Sequence, residues 1–174
     1  MQFIFKNNII YSMPMLDDLS QGSRIAYIRQ FRKLSQDDVS DSLGITGESK
    51  RRTMTRYEKG ERVPKEERLK ELSRILITNI NMIKAYDFKS ESDIVYLLLW
   101  LEIKYPNLRI DIDTKNEKFD KFLEIWNQIR LKYQAGKIKL EDYFEWKLNF
   151  MNDTIKLEIS GKSKKDGFLI EHEK

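Results

Sequence analysis

Between residues 24 and 83 apolar side chains recur every three or four positions, the spacing of one helix face, and the rows break at short runs of turn-forming residues. Ile25, Ile28 and Phe31, followed by Leu34, predict a first helix over 24–33. Ser35 stands three residues ahead of Asp38, so the two side chains can satisfy each other's free backbone N–H groups as a capping box. A short second helix then runs from about Gln36 to Leu43, with Val39 and Leu43 inward, and Gly44 supplies the left-handed conformation that closes it. Ile45 returns to the core, and Met54 and Tyr57 form the inner side of a third helix that stops near Gly60. Pro64 suits the first turn of a fourth helix carrying Leu69, Leu72, Ile75 and Leu76. Asn79 caps a fifth, short one led by Ile80, Met82 and Ile83.

The pattern changes at residue 91. Ser90 or Ser92 caps a helix that is apolar nearly all round through Leu101, and such a helix must be covered on more than one side, in a core or a dimer interface. Pro106 ends it, and Leu108 to Asp113 alternates apolar and polar residues as a half-buried strand does. A long helix follows over about 115–135, with Phe119, Phe122, Leu123, Trp126, Ile129 and Tyr133 on one side and Gly136 at its end. Tyr143, Phe144, Trp146, Leu148 and Phe150 mark a last helix from Leu140 to Met151, and Ile155 to Ile159 is a second alternating stretch. The expected architecture is mainly α with one or two short strands. Residues 1–20 are an extension compatible with disorder, 21–88 a five-helix domain, 89–152 an α-rich domain and 153–174 a charged tail. Met13 and Met15 lie closer to the first helix than Met1 does and are alternative start positions.

Composition narrows the chemistry. The chain has no cysteine, which removes disulfides, thiolate zinc sites and a cysteine nucleophile and suits a reducing cytoplasm. Its longest apolar run, Ile94 to Leu101, falls far short of the roughly 20 residues of a membrane span, and Met1 to Ile10 has no signal-peptide pattern. The net charge of +4 is unevenly placed. Residues 21–76 hold fourteen Lys/Arg against nine Asp/Glu, a balance of +5, and the remainder holds eighteen against nineteen, a balance of −1. A cationic segment joined to a neutral one suits a polyanion-binding domain with a second domain attached.

The residues Arg24-Ile25, Ile28-Arg29, Leu34-Ser35-Gln36, Val39, Leu43-Gly44-Ile45-Thr46, Thr53 to Glu58, Gly60 and Pro64 together resemble the phage Cro/repressor-type, xenobiotic-response-element-like helix-turn-helix family. The resemblance covers about a third of the chain. It implies a lambda-repressor-like domain of five helices, the second lying on the DNA backbone and the third in the major groove. Gln36, at the start of the second helix, is placed to reach a phosphate. Thr46, Glu48, Ser49, Lys50, Arg51, Arg52, Thr53, Thr55, Arg56 and Lys59 are the candidate contacts of the third helix and its flanks. Arginine and lysine can read guanine edges or hold phosphates, and threonine methyls can meet thymine. Arg29 and Glu58 occupy positions that pair the first helix with the end of the third, as a partly buried structural ion pair.

Two departures from the family stand out. Four extra residues lie between Gly44 and Tyr57, around Gly47 to Arg52. They either lengthen the third helix or widen the turn before it, and Gly47, a poor residue inside a helix, favours the wider turn. Relatives also often have glycine where this chain has Lys33.

Little in the chain suggests catalysis, a cofactor or a metal. His172 is the one histidine and is close to the end, while Ser160 to Ser163 resembles part of a phosphate loop but has Lys156 where the earlier glycine belongs. Asp111, Asp113 and Glu117 fit the wet side of the strand better than a cation site, and the aromatic rows fit a core. The expected protein is a cytoplasmic, non-enzymatic DNA-binding transcription regulator of bacterial type. It would be a repressor that binds a palindromic operator in double-stranded DNA as a homodimer. Its C-terminal domain would dimerise or meet a protein or small-molecule effector; an antitoxin with a protein partner is one competing reading, and an enzyme of unknown type in residues 91–174 is the other.

Overall fold

The computed structural model describes residues 13–47, 49–106, 108–110, 112 and 115–151, with Ser49 described by its backbone alone. Among these residues eight helices follow one another: α1 (Gln21–Phe31), α2 (Gln36–Ser42), α3 (Ser49–Glu58), α4 (Glu66–Ile75), α5 (Ile80–Ile83), α6 (Glu91–Lys104), α7 (Glu117–Gln134) and α8 (Leu140–Leu148). None is long and apolar enough to cross a membrane.

Local chemistry sets most of the boundaries. Ser20 caps α1, three residues ahead of its expected start, by accepting from the Ser23 N–H. At α2 both halves of the Ser35/Asp38 capping box are present, with Asp38 N–H to Ser35 Oγ at 3.0 Å and Ser35 N–H to Asp38 Oδ2 at 2.7 Å. These bonds hold the Asp38 carboxyl below its usual pKa. Asn79 caps α5, Ser90 rather than Ser92 caps α6, and Asn116 caps α7. Pro64 stands one residue before the cap of α4, Lys65, and not inside its first turn.

The expected strand at 108–113 is not seen at its described residues. Leu108, Arg109, Ile110 and Ile112 belong to no strand, and no strand occurs among the described residues. A lone extended segment has no ladder for its backbone groups. The alternation reports burial instead, since Ile110 and Ile112 pack partly against the core while Leu108 and Arg109 face solvent. Asp111, Asp113 and Ile155 to Ile159 lie outside the described residues, as do Ser160 to Ser163 and His172.

Buried side chains from α1 to α8 form one continuous core. Tyr27 of α1 meets Trp100 of α6 edge-on at 5.8 Å and Phe144 of α8 at 5.3 Å, and Phe31 meets Phe144 at 4.5 Å. The apolar circumference of α6 is covered within the chain: Val95, Tyr96, Leu98, Leu99 and Trp100 are buried and Ile94 remains exposed. The inner row of α7, Phe119, Phe122, Trp126 and Ile129, is buried as well. Residues 13–20 are not loose: Leu16 is buried, and the Lys104 ammonium donates to the carbonyls of Leu16 and Asp17 at 2.9 and 2.6 Å.

Candidate nucleic-acid interface

The turn between α2 and α3 begins at Gly44, whose φ of +68° closes α2. Gly44 N–H donates to Asp41 C=O and Ile45 N–H to Ser40 C=O, at 2.9 and 3.0 Å, which is the Schellman arrangement. Gly47, at φ +75°, stands in the turn ahead of α3, while Lys50, Arg51 and Arg52 from the same added stretch fall in the first turn of the helix, so the surplus is shared between turn and helix. The buried Ser40 hydroxyl donates to the Lys50 carbonyl at 2.8 Å and ties the two helices together.

Burial fixes the rotation of α3. Met54 and Tyr57 sit in the core, and Thr53 beside them is half-buried. At about 100° per residue, Arg51, Arg52, Thr55, Arg56 and Lys59 then share an arc of about 140° on the opposite side. The four cations are exposed. With Thr55 and Glu61 they line an open concavity of about 480 Å³. Arg56 lies loosely beside Glu61, at 3.9 Å.

The other candidates are placed differently. The Lys50 ammonium turns back to Asp41 of α2 at 2.5 Å, and that hydrogen bond and charge raise its pKa. Thr46 is exposed in the widened turn. Glu48 and the side chain of Ser49 lie outside the described residues. Gln36 is half-buried and tied on both sides of its amide: its nitrogen donates to Glu58 Oε2 at 2.7 Å and its oxygen accepts from Thr55 Oγ1 at 3.0 Å.

Glu58 also receives two N–H groups of Arg29, at 2.5 and 3.0 Å, in a bidentate pair whose side chains are 12% and 9% exposed. One N–H of Arg29 continues to the Leu34 carbonyl at 2.8 Å, at the entry to α2. The chain Arg29, Glu58, Gln36, Thr55 thus joins α1, α2 and α3 and sets the angle at which α3 is presented.

Two positioning residues were not singled out by the pattern. Gly22 lies where α1 passes the end of α3, and a Cβ there would stand 2.3 Å from the Glu58 carbonyl oxygen and 2.6 Å from that of Tyr57. A glycine flanking an apolar helical row was the available sign. Arg24 is 2% exposed and closes α5 by donating to the carbonyls of Met82 and Lys84 at 2.9 and 2.7 Å, with Tyr86 4.0 Å from its guanidinium. Burial lowers its pKa. No periodicity rule marks an arginine as core.

A short helix, a glycine-closed turn and a second helix with an exposed cationic face define a helix-turn-helix, the class of DNA-binding domain in which the second helix enters the groove. Residues 25–82 match the family model described as helix-turn-helix, and this segment is a DNA-binding domain of the Cro/repressor type. The match spans a third of the chain. No curated protein and no solved structure matches it.

Proposed function

We propose that the protein is a sequence-specific transcription regulator of double-stranded DNA, with α3 in the major groove and α2 across the phosphate backbone. The observation that carries the reading is the shared exposed face of Arg51, Arg52, Arg56 and Lys59 on the second helix of a helix-turn-helix. Those four side chains are exposed with the C-terminal helices packed in place, so the face is open in the folded chain.

One reading helix touches only a few base pairs, so useful specificity requires two copies on half-sites about 34 Å apart. The regulator accordingly acts as a homodimer on a palindromic operator, and as a repressor. Because α6 and the inner side of α7 are used within the chain, the dimer contact falls on other surfaces. A protein or small-molecule effector would act on α6, α7 and α8. The domain carries no catalytic role in this reading.

Salt dependence of binding is the test. Each phosphate contact adds about −0.9 to the slope of log K against log salt. The variant R56A/K59A should flatten that slope by about two and weaken all duplexes alike, read by fluorescence anisotropy. An unchanged slope would remove α3 from the phosphates.

A further inference from the structure

We infer that Arg51 and Arg52 are the base-reading side chains and that each half-site presents guanines to them, an assignment that rests on the DNA-binding reading above. The argument is an inventory of what the exposed side of α3 can offer. Each base pair shows the major groove its own set of groups: guanine offers two acceptors, adenine an acceptor and a donor, cytosine a donor and thymine an acceptor with a methyl. Reading adenine with a side chain calls for an amide that donates and accepts at once.

Among the described residues, the arc of Arg51, Arg52, Thr55, Arg56 and Lys59 carries no amide and no carboxylate of its own; the nearby carboxylate is Glu61, past the end of α3 and beside Arg56 at 3.9 Å. The nearest amide, Gln36, stands on α2 and not on the arc; it is half-buried, with its oxygen accepting from Thr55 and one N–H donating to Glu58, so it serves the network that holds α3. The arc therefore presents donors alone, apart from Thr55. The Thr55 hydroxyl is itself shared between Gln36 and the Arg51 carbonyl, both at 3.0 Å, which leaves its methyl as the group not hydrogen-bonded. A donor fork matches the two acceptors of guanine, and a methyl matches thymine.

Position along the helix divides the cations. Recognition helices approach base edges with their N-terminal residues. Arg51 and Arg52 fall in the first turn of α3, Arg56 in its last turn and Lys59 just past its end. Lys50, although in the same turn, is committed to Asp41. Arg51 and Arg52 thus read bases, Arg56 and Lys59 hold phosphates, and Thr55 lies against a thymine methyl between them.

Selection of duplexes from a random-sequence pool by the full-length chain, followed by anisotropy with the enriched duplex and its single-pair variants, tests the assignment. The enriched motif should hold at least two G·C pairs in each half-site. R51A should abolish the preference at one of them and R52A at another, each with a loss of roughly 5- to 150-fold on the guanine-containing duplex and little on the duplex already changed there. K59A should instead weaken every duplex equally. All three side chains are exposed, so circular dichroism melting should be unchanged and separates reading from folding. A retained motif built of A·T pairs, or equal losses for R51A on guanine-containing and guanine-free duplexes, overturns the base assignment alone. A pool from which no duplex is retained at low salt overturns the DNA-binding reading and the assignment with it.

Discussion

At the scale of single residues, the geometry of α3 depends on side chains that never face solvent as readers. Gly22 is the sharpest case, because the atoms its Cβ would meet belong to the backbone of Tyr57 and Glu58 and cannot swing aside. G22A should therefore cost about 1–3 kcal/mol or more in denaturant unfolding, as overpacking of a close contact does, and the shift of α3 should weaken DNA binding beyond the stability loss. Unchanged unfolding would show that α1 and α3 can part freely. Arg29 and Glu58 were legible as a pair from the family resemblance, whereas the engagement of Gln36 by that pair was not. An amide at a helix start reads as exposed until the neighbouring helix is in place.

Among the elements, α1, α2, α4 and α7 all end in the same way. In each the residue after the cap is left-handed and donates to a carbonyl three residues back, and the next N–H closes the turn with a carbonyl five back. Gly44 and Gly136 fill two of these positions at φ +68°. Lys33 and Ile77 fill the others at φ +56° and +49°, and a branched residue there is an outlier. K33G and I77G should each raise stability by about 0.5–1 kcal/mol, the relief of the left-handed conformation exceeding the entropy of glycine. Thermal melting would show it, and a lower melting temperature for both would refute it. The glycine closures were readable because glycine announces them. Lys33 was marked only by the resemblance, since relatives often have glycine there, and Ile77 was silent, because nothing in an isoleucine marks a positive φ.

Across the whole molecule, the C-terminal helices join the DNA-binding helices through the aromatic contacts of Tyr27 and Phe31 and through hydrogen bonds gathered at the turn after α4. Arg32, the C-cap of α1, donates to the carbonyls of Leu76 and Ile77 at 2.7 and 2.6 Å and forms a bidentate pair with Glu145 of α8. Thr78 Oγ1 and Asn79 N–H both donate to the Leu148 carbonyl, at 2.9 and 2.8 Å, and the Asn79 amide donates to Phe150 at 2.9 Å. Within the C-terminal helices, the Glu102 carboxylate receives Lys147, Tyr143 and Trp126 at 2.6, 2.7 and 2.9 Å, and burial lowers the pKa of Lys147. With one continuous core, the chain should unfold in a single cooperative transition. E145A should lower its midpoint by the equivalent of about 1–2 kcal/mol, between the values of surface and buried pairs. Two separate transitions, only one of them sensitive to E145A, would show that the joint does not couple the halves.

The sequence by itself determined where the helices lie, how α2 and α5 are capped, that Gly44 closes α2, and that Met54 and Tyr57 form the inner side of α3. These features are set within a few residues, by backbone sterics and by the 3.6-residue period. The tertiary structure alone decided that α6 is covered by its own chain, that Leu108, Arg109, Ile110 and Ile112 belong to no strand, that Lys50 turns to Asp41, and that Gly22 must be glycine. Each of these depends on which remote surface arrives, and a one-dimensional pattern records that a face is apolar or charged without recording what it meets.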